Sequence, residues 1–149
     1  MGAALALARK NATSADGGPF GAVVVHDGKV VGEGRNSVTT TNDPTAHAEI
    51  VAIREAAKRL GRFDLKDCVL YTSCEPCPMC LAAAYWARVD RVVYAATQDD
   101  AAAAGFDDAF LYDELAKEKA DRQLECVQLT IDGKNPFAVW LANPNRIPY

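Results

Sequence analysis

The chain has 149 residues, half of them hydrophobic and 24% charged, with a formal net charge of −4. This composition is ordinary for a globular protein that can bury a sizeable core. An acidic balance without long runs of lysine or arginine argues against a nucleic-acid backbone as the partner. No apolar stretch approaches the roughly 20 residues of a membrane span. We therefore expect neither nucleic acid nor a membrane as a partner.

The first predicted elements are a helix and a β-hairpin. The helix, Ala3–Asn11, ends before the turn-forming sequence DGGP. Two apolar runs, Gly21–His26 and Lys29–Gly34, are joined by Asp27-Gly28. An Asp-Gly pair between such runs is a strong signal for an antiparallel hairpin. A polar loop, NSVTTTNDPT, is expected to follow.

A second helix is predicted to begin with Asp43 as its N-cap and Pro44 in its first turn, and to end at Gly61. Strands and helices then alternate, which predicts an α/β layered domain with a five-stranded mixed sheet. We expect residues 1–149 to form a single domain. The later predicted elements are the strands Cys68–Thr72, Arg91–Ala96 and Leu124–Ile131 and the helices Pro78–Arg88 and Ala109–Ala120.

Five cysteines are present, and three of them fall within seven residues, Cys74–Cys80. Secreted disulfide scaffolds are usually shorter and denser in cysteine, so we expect a cytoplasmic protein with reduced thiols. Cys68 and Cys126 fall in strand-like runs and are predicted to be small buried side chains.

The cysteine cluster has the residue types of a metal site. Cys77 and Cys80 are three residues apart at the start of a predicted helix, so both sulfur atoms can point to one side. A helix N-terminus favours thiolates. His47, in the first turn of the preceding helix, would add a nitrogen ligand, whereas His26 lies beside the hairpin turn and is expected to be solvated. Three protein ligands with a fourth position for water are typical of catalytic Zn²⁺.

Two other readings of the cysteines are possible. Cys74 could complete a closed structural zinc site, but that site would give no role to Glu49, two residues after His47. A redox pair is less favoured, because prolines stand on both sides of Cys77, an arrangement that differs from a thioredoxin-type motif. A carboxylate beside an open metal position can take a proton from water and return it to a leaving group. We therefore favour a catalytic site.

The pair His47-Ala48-Glu49 followed by Pro76-Cys77-Pro78-Met79-Cys80 matches H-x-E and P-C-x-x-C, the signature of zinc nucleobase deaminases. On these motifs the chain resembles the cytidine deaminase-like superfamily over nearly its full length. The resemblance implies a three-layer α/β/α fold and a Zn²⁺ cofactor. It also implies that Cys74 is not a ligand and that Glu49 is the catalytic acid and base.

Four further segments, GGPFGAV, TNDPTAHAE, YWAR and AGFDD, resemble the guanine deaminases of that superfamily. This resemblance implies a purine base as substrate, with guanine converted to xanthine and ammonia. Guanosine or another nucleoside, or the adenosine of a tRNA, is the alternative substrate. The side chains expected to contact the base are Phe20, Asn36, Trp86 and Asp108, with the backbone N–H of Ala48 and with Tyr149. Asp108 is preferred over Asp107 as the acceptor for the N–H groups of guanine.

The C-terminal residues are the last feature of interest. Residues 143–149 are too rich in proline to continue a helix, and they follow an apolar stretch that could form a short one. A frayed tail is the ordinary interpretation of such an end. The resemblance to guanine deaminases implies instead a segment, 136–149, that covers the active site and is exchanged within a homodimer.

Overall fold

The computed structural model describes residues 1–14, 16–130 and 135–148. The chain forms two compact units, Met1–Tyr112 and Asp113–Tyr149. None of the helices in the described residues is long and apolar enough to cross a membrane.

The first unit is built on a four-stranded mixed sheet with the order β2-β1-β3-β4. Strand β1 pairs antiparallel with β2 and β3, whereas β3 and β4 are parallel. The predicted hairpin is confirmed, and Asp27 and Gly28 at its turn both have positive φ angles. The strands are β1 (Gly21–His26), β2 (Lys29–Arg35), β3 (Cys68–Cys74) and β4 (Arg91–Ala96).

The described part of the first unit also contains five complete helices and the start of a sixth. Two of them, α2 and α5, were not predicted from the sequence, and α3 begins four residues later than expected, with His47 as its N-cap in place of Asp43. The reason is local: the Asp43 carboxylate accepts a hydrogen bond from the backbone N–H of Thr45, which forms a turn, and His47 becomes the N-cap. The helices are α1 (Gly2–Ser14), α2 (Val38–Thr41), α3 (Ala48–Leu60), α4 (Pro78–Ala87), α5 (Gln98–Ala103) and α6 (Ala109–Ala116).

Helices cover both faces of the sheet, as the expected three-layer arrangement requires. On one face Gly21 lies against Ala4 and Ala8 of α1. On the other face α3 approaches so closely that a Cβ at Gly34 would lie 1.9 Å from the carbonyl oxygen of Ala48. Only glycine permits this approach, which fixes the first turn of α3 against β2.

The main core lies between the sheet and helices α3 and α4. Most of its side chains are small. Because alanine takes up little space, the helices can pack close to the sheet. Its buried members are Ala22, Val24, Val31, Ala48, Ala52, Ala56, Leu65, Cys68, Leu70, Ala84 and Ala87.

The second unit has less regular structure. After α6 it contains a one-turn 3-10 helix, Lys119–Asp121, and a helix α7, Pro136–Ala142. The predicted strand Leu124–Ile131 is wrong for the described residues 124–130, which form no strand, so the described sheet has four strands and not five. A strand needs a hydrogen-bonding neighbour, and periodicity does not say whether the same chain supplies it. Cys126 is exposed and not buried, whereas Cys68 is buried as predicted.

Candidate active site

The N-termini of two helices bring the predicted metal ligands together. His47 is the N-cap of α3, Cys77 is the N-cap of α4, and Cys80 lies in the first turn of α4. Their ligand atoms all lie within 4.8 Å of one another. The positive ends of both helix dipoles therefore point at the cluster, which favours thiolate ligands.

The spacing within the cluster fits zinc. Bonds of about 2.3 Å to sulfur and about 2.05 Å to nitrogen at tetrahedral angles would separate nitrogen from sulfur by about 3.6 Å. The Nδ1 atom of His47 lies 3.6 Å from the sulfur of Cys77 and 3.6 Å from that of Cys80. Imidazole and two thiolates are also the donor set that zinc prefers. His47, Cys77 and Cys80 thus match the geometry and the chemistry of a three-ligand zinc site.

The pKa values of the two thiols in the cluster are shifted in opposite directions. Contact with Cys80 lowers the pKa of Cys77 to about 4, because the thiolate of Cys77 is stabilised by its neighbour and by His47. Cys77 in turn raises the pKa of Cys80. Contact with Cys77 also raises the pKa of His47.

Cys74 is held away from these three residues. Its thiol donates a hydrogen bond of 3.4 Å to the carbonyl oxygen of Thr97, at the start of α5. Burial raises the pKa of the Cys74 thiol, which opposes the thiolate form that binds metal. The geometry favours the three-ligand interpretation over the closed four-ligand one.

Glu49 lies beside the cluster and is buried, with only 5% of its surface exposed to solvent. Its Oε1 atom accepts a hydrogen bond of 2.9 Å from the hydroxyl of Thr72, and its Oε2 atom accepts one of 3.4 Å from the thiol of Cys80. Burial raises the pKa of the Glu49 carboxyl above its usual value. A raised pKa brings a carboxyl closer to the range in which it can both take and return a proton near neutral pH.

A cavity of about 260 Å³ opens onto this arrangement. His47 and Glu49 line it, together with predicted base contacts from three other parts of the first unit, Phe20, Asn36 and Asp108. The ring of Phe20 packs edge-on against that of Phe106, with centroids 4.9 Å apart. Lining residues that the sequence did not single out as candidates are Glu75, Gln98, Ala101, Gly105 and Phe106.

The two neighbouring aspartates at this cavity have different partners. Asp107 accepts a hydrogen bond of 2.9 Å from the backbone N–H of Ala109, at the start of α6. Asp108 accepts one of 2.9 Å from the side-chain amide of Gln98, through Oδ1. Asp107 therefore accepts a hydrogen bond from the start of α6, whereas Asp108 is bound by Gln98, which itself lines the cavity.

The other predicted contacts lie in different surroundings. Ala48 is the first residue of α3, where backbone N–H groups have no intrahelical acceptor, so its N–H is suited to a ligand. Trp86 does not line the cavity: it is 67% exposed and stands about 12 Å along α4 from the helix start. Tyr149 lies outside the described residues. The contacts of Trp86 and Tyr149 with substrate stay predictions.

Comparison with known proteins agrees with this site. A family model described as the cytidine and deoxycytidylate deaminase zinc-binding region matches residues 1–96. The chain belongs to this family of zinc-binding deaminases.

Among its relatives, the guanine deaminase of Bacillus subtilis (strain 168) is 53% identical over 98% of this chain and 94% of its own length. An X-ray structure of guanine deaminase from Bacillus subtilis has a TM-score of 0.94 at the same identity and coverage. A guanine deaminase structure from Nitrosomonas europaea is 41% identical with a TM-score of 0.66, over 72% of this chain and 62% of that one. The tRNA-specific adenosine deaminase of Aquifex aeolicus is 44% identical over 52% of each chain.

Proposed function

We propose that the protein is a zinc-dependent aminohydrolase that converts guanine and water into xanthine and ammonia. The 53% identity to the Bacillus subtilis guanine deaminase over 98% of the chain supports guanine as the substrate. The tRNA-specific adenosine deaminase from Aquifex aeolicus matches only 52% of the chain. The acidic net charge also favours a free base over an RNA.

The observation that carries the proposal is the position of Glu49. Its carboxylate is buried, adjoins the sulfur of Cys80 and lines the same cavity as Asn36 and Asp108. A proton carrier, a metal-ligand cluster and groups able to bind a purine edge thus meet in one cavity. A closed structural zinc site would have no use for this arrangement.

The chemistry follows from these positions. His47, Cys77 and Cys80 would hold the zinc ion, which supplies Lewis acidity and makes water a better nucleophile. Glu49 takes a proton from the attacking water as the oxygen bonds to C2 of guanine. The protonated carboxyl gives that proton to the ring nitrogen N3. Glu49 then takes the proton of the hydroxyl group now on C2 and passes it to the departing amine, so that the C2–N bond breaks, a carbonyl forms at C2 and ammonia leaves. Thr72 holds one carboxylate oxygen and so orients Glu49 through the cycle.

The base is recognised by the groups that line the cavity. Guanine presents N–H donors at N1 and at the 2-amino group, and we propose that Asp108 accepts them through the oxygen that Gln98 leaves available. Phe20 would pack on the purine ring. Asn36 and the backbone N–H of Ala48 would contact acceptor atoms of the base. For Trp86 and Tyr149 we propose that the contact with the base comes from the partner copy.

We further propose a homodimer in which the C-terminal segment is exchanged, so that the first unit of one chain and the second unit of its partner together form one catalytic domain. The second unit begins at Asp113, which supports a longer exchanged segment than 136–149. Its strand-like residues 124–130 lack a strand partner, and β4 is an edge strand among the described residues. An open edge and an unpaired apolar segment are complementary, because pairing satisfies the backbone groups of both. We place the enzyme in the cytoplasm, where its five free thiols stay reduced.

The experiment is an ammonia-release assay on zinc-loaded protein. Guanine, guanosine, adenine, cytosine and an RNA stem-loop are supplied separately. Release from guanine, with xanthine as the product, is the expected result. Release from guanosine or from the RNA, with guanine unreactive, would overturn the assignment of the substrate.

A further inference from the structure

A buried asparagine outside the proposed chemistry joins three parts of the first unit. Asn11 lies near the C-terminal end of α1 and is only 1% exposed. Its side-chain amino group donates hydrogen bonds of 2.7 Å to the carbonyl oxygen of Gly18 and 2.8 Å to that of Asn36. Both N–H bonds of the amino group are therefore used, each on a different backbone segment.

The two carbonyl groups belong to the segments that carry two of the proposed substrate contacts. The backbone N–H of Phe20 donates to the same oxygen of Gly18 at 2.8 Å, and the N–H of Asn36 donates to the carbonyl oxygen of Phe20 at 3.2 Å. Asn11 thus closes a small backbone network. Phe20 and Asn36 lie within this network, and both line the cavity.

The same network sets the direction in which the Asn36 amide points. The side-chain oxygen of Asn36 lies 3.3 Å from the backbone N–H nitrogen of Gly18 and 3.4 Å from that of Val38. Two N–H donors aimed at one atom identify that atom as the oxygen. The amino group is then the part of the side chain that is available to a ligand, so Asn36 acts as a donor to the base.

There is little room for this part of the backbone to adjust. A Cβ added to Gly17 would lie 2.2 Å from the carbonyl oxygen of Asn36 and 3.1 Å from the amide nitrogen of Asn11. The loop, the end of β2 and the Asn11 side chain are therefore in close contact. Without the amide of Asn11, two carbonyl groups would lose a buried donor, and the backbone would have to shift or admit water to satisfy them.

We infer that Asn11 is a positioning residue, which holds the Asn36 amide and the Phe20 loop in the orientation that binds the purine base. This inference rests on the proposed function. Asn11 touches neither the zinc ligands nor Glu49 in the described hydrogen bonds, so it acts through Asn36 and Phe20. Displacement of a binding group by about 1 Å can lower activity about 100-fold even when the substitution is far from the chemistry.

A double-mutant cycle on guanine turnover tests the inference. Asn11→Ala should keep one zinc per chain and lower kcat/KM for guanine by about 10- to 100-fold. Asn36→Ala removes the group that Asn11 positions, so adding Asn11→Ala to it should cost at least about threefold less than it does in the wild type. Independent sites would instead multiply their losses. If Asn11→Ala shows no cooperative unfolding transition, Asn11→Ser, which keeps one donor, replaces it in the same cycle.

A control variant separates positioning from general destabilisation. Leu65→Ala removes a fully buried side chain whose backbone N–H bonds to Ala87, at the opposite end of α4 from the zinc ligands. It should lower the melting temperature and leave kcat/KM near the wild-type value. Multiplicative losses of kcat/KM in the cycle, or a loss in Leu65→Ala as large as that in Asn11→Ala, would overturn the inference. The proposed function would still hold in that case, provided that the wild-type protein deaminates guanine. A wild-type protein that releases no ammonia from guanine would instead contradict the proposed function.

Discussion

The two compact units contain similar kinds of side chain but bury them very differently. The first unit buries a contiguous core between the sheet and helices α3 and α4. In the second unit none of the described residues is buried, although it is rich in large apolar side chains. Those that are between 41% and 78% exposed include Leu124, Val127, Leu129, Phe137, Val139, Trp140, Leu141 and Ile147.

This contrast indicates what each unit needs in order to be stable. A layered sheet with helices on both faces satisfies its own backbone and buries its own apolar surface. A segment that leaves many large apolar side chains in water gains little from folding alone, and exposed apolar patches of this kind mark interaction surfaces. The first unit therefore contains the candidate active site. For the second unit we propose that its apolar side chains pack against a second copy of the chain.

The largest expected effect comes from removing a metal ligand in the first unit. Cys77→Ser replaces a thiolate by a weakly acidic hydroxyl and should abolish both zinc binding and turnover. Zinc content measured by atomic emission, with the ammonia assay, checks this. Cys74→Ser is the matched control, since it changes a neighbouring thiol bonded to the carbonyl of Thr97, and it should keep both properties. Loss of zinc in that control would restore the closed four-ligand site.

The next effect is on proton transfer. Glu49→Gln keeps the shape of the side chain and should retain zinc and fold. It should lower kcat by about 10²- to 10⁴-fold, because an amide cannot take the proton from water. Steady-state kinetics on zinc-loaded protein measures this. Turnover close to that of the wild type would exclude Glu49 from the chemistry.

A smaller effect is expected from the group that reads the base. Asp108→Asn replaces a charged acceptor by an amide and should lower kcat/KM for guanine by about 100-fold with zinc retained. Asp107→Asn alters the neighbour that accepts from the backbone N–H of Ala109, and it should cost stability more than activity. If the kinetic loss appears in Asp107→Asn alone, the base is read by the other aspartate.

The smallest effect on metal binding is expected from removing the second unit altogether. A fragment of residues 1–112 should bind one zinc ion and show a cooperative unfolding transition, because its core and all three ligands lie within it. It should have little guanine deaminase activity if a partner's second unit completes the site. Circular dichroism and zinc analysis test the first statement. A fragment without cooperative unfolding would show that the two units depend on each other for folding.

Local features of the first unit were predictable from the sequence. The hairpin at Asp27-Gly28 follows from backbone preferences at two positions, and strands β1 and β4 have the bounds that their apolar runs indicate. The metal cluster was predictable because both of its parts are short motifs placed at helix starts. Helix α5 was missed although Thr97 and Asp100 form a capping box, since a six-residue helix has too little periodicity to be recognised.

What the sequence could not reveal depends on distant partners. Residues 124–131 have the composition of a strand, but pairing depends on an edge elsewhere, in this chain or in another. Cys126 was predicted to be buried for the same reason and is exposed. Asn11 is a single polar residue near a helix end. Nothing in its neighbours indicates that its amide reaches Asn36, 25 positions away in the sequence.

We propose that the second unit of one chain completes the site in the first unit of its partner. Chains that lack Ile147–Tyr149 should stay folded and zinc-loaded but deaminate guanine at a sharply reduced rate. Full-length Glu49→Gln chains should also be nearly inactive. A heterodimer of the two, co-expressed with different affinity tags, would pair the intact Glu49 site of the shortened chain with the intact tail of the other.

Guanine turnover by the purified heterodimer distinguishes exchanged tails from tails that stay with their own chain. We expect about half the activity of the wild-type dimer, since one of the two sites is complete. If the tail covered the site of its own chain, the only site with an intact Glu49 would have a shortened tail. The heterodimer would then have at most half the activity of the shortened homodimer. That result, or a fully active shortened chain that elutes as a monomer, would contradict the exchange of the C-terminal segment.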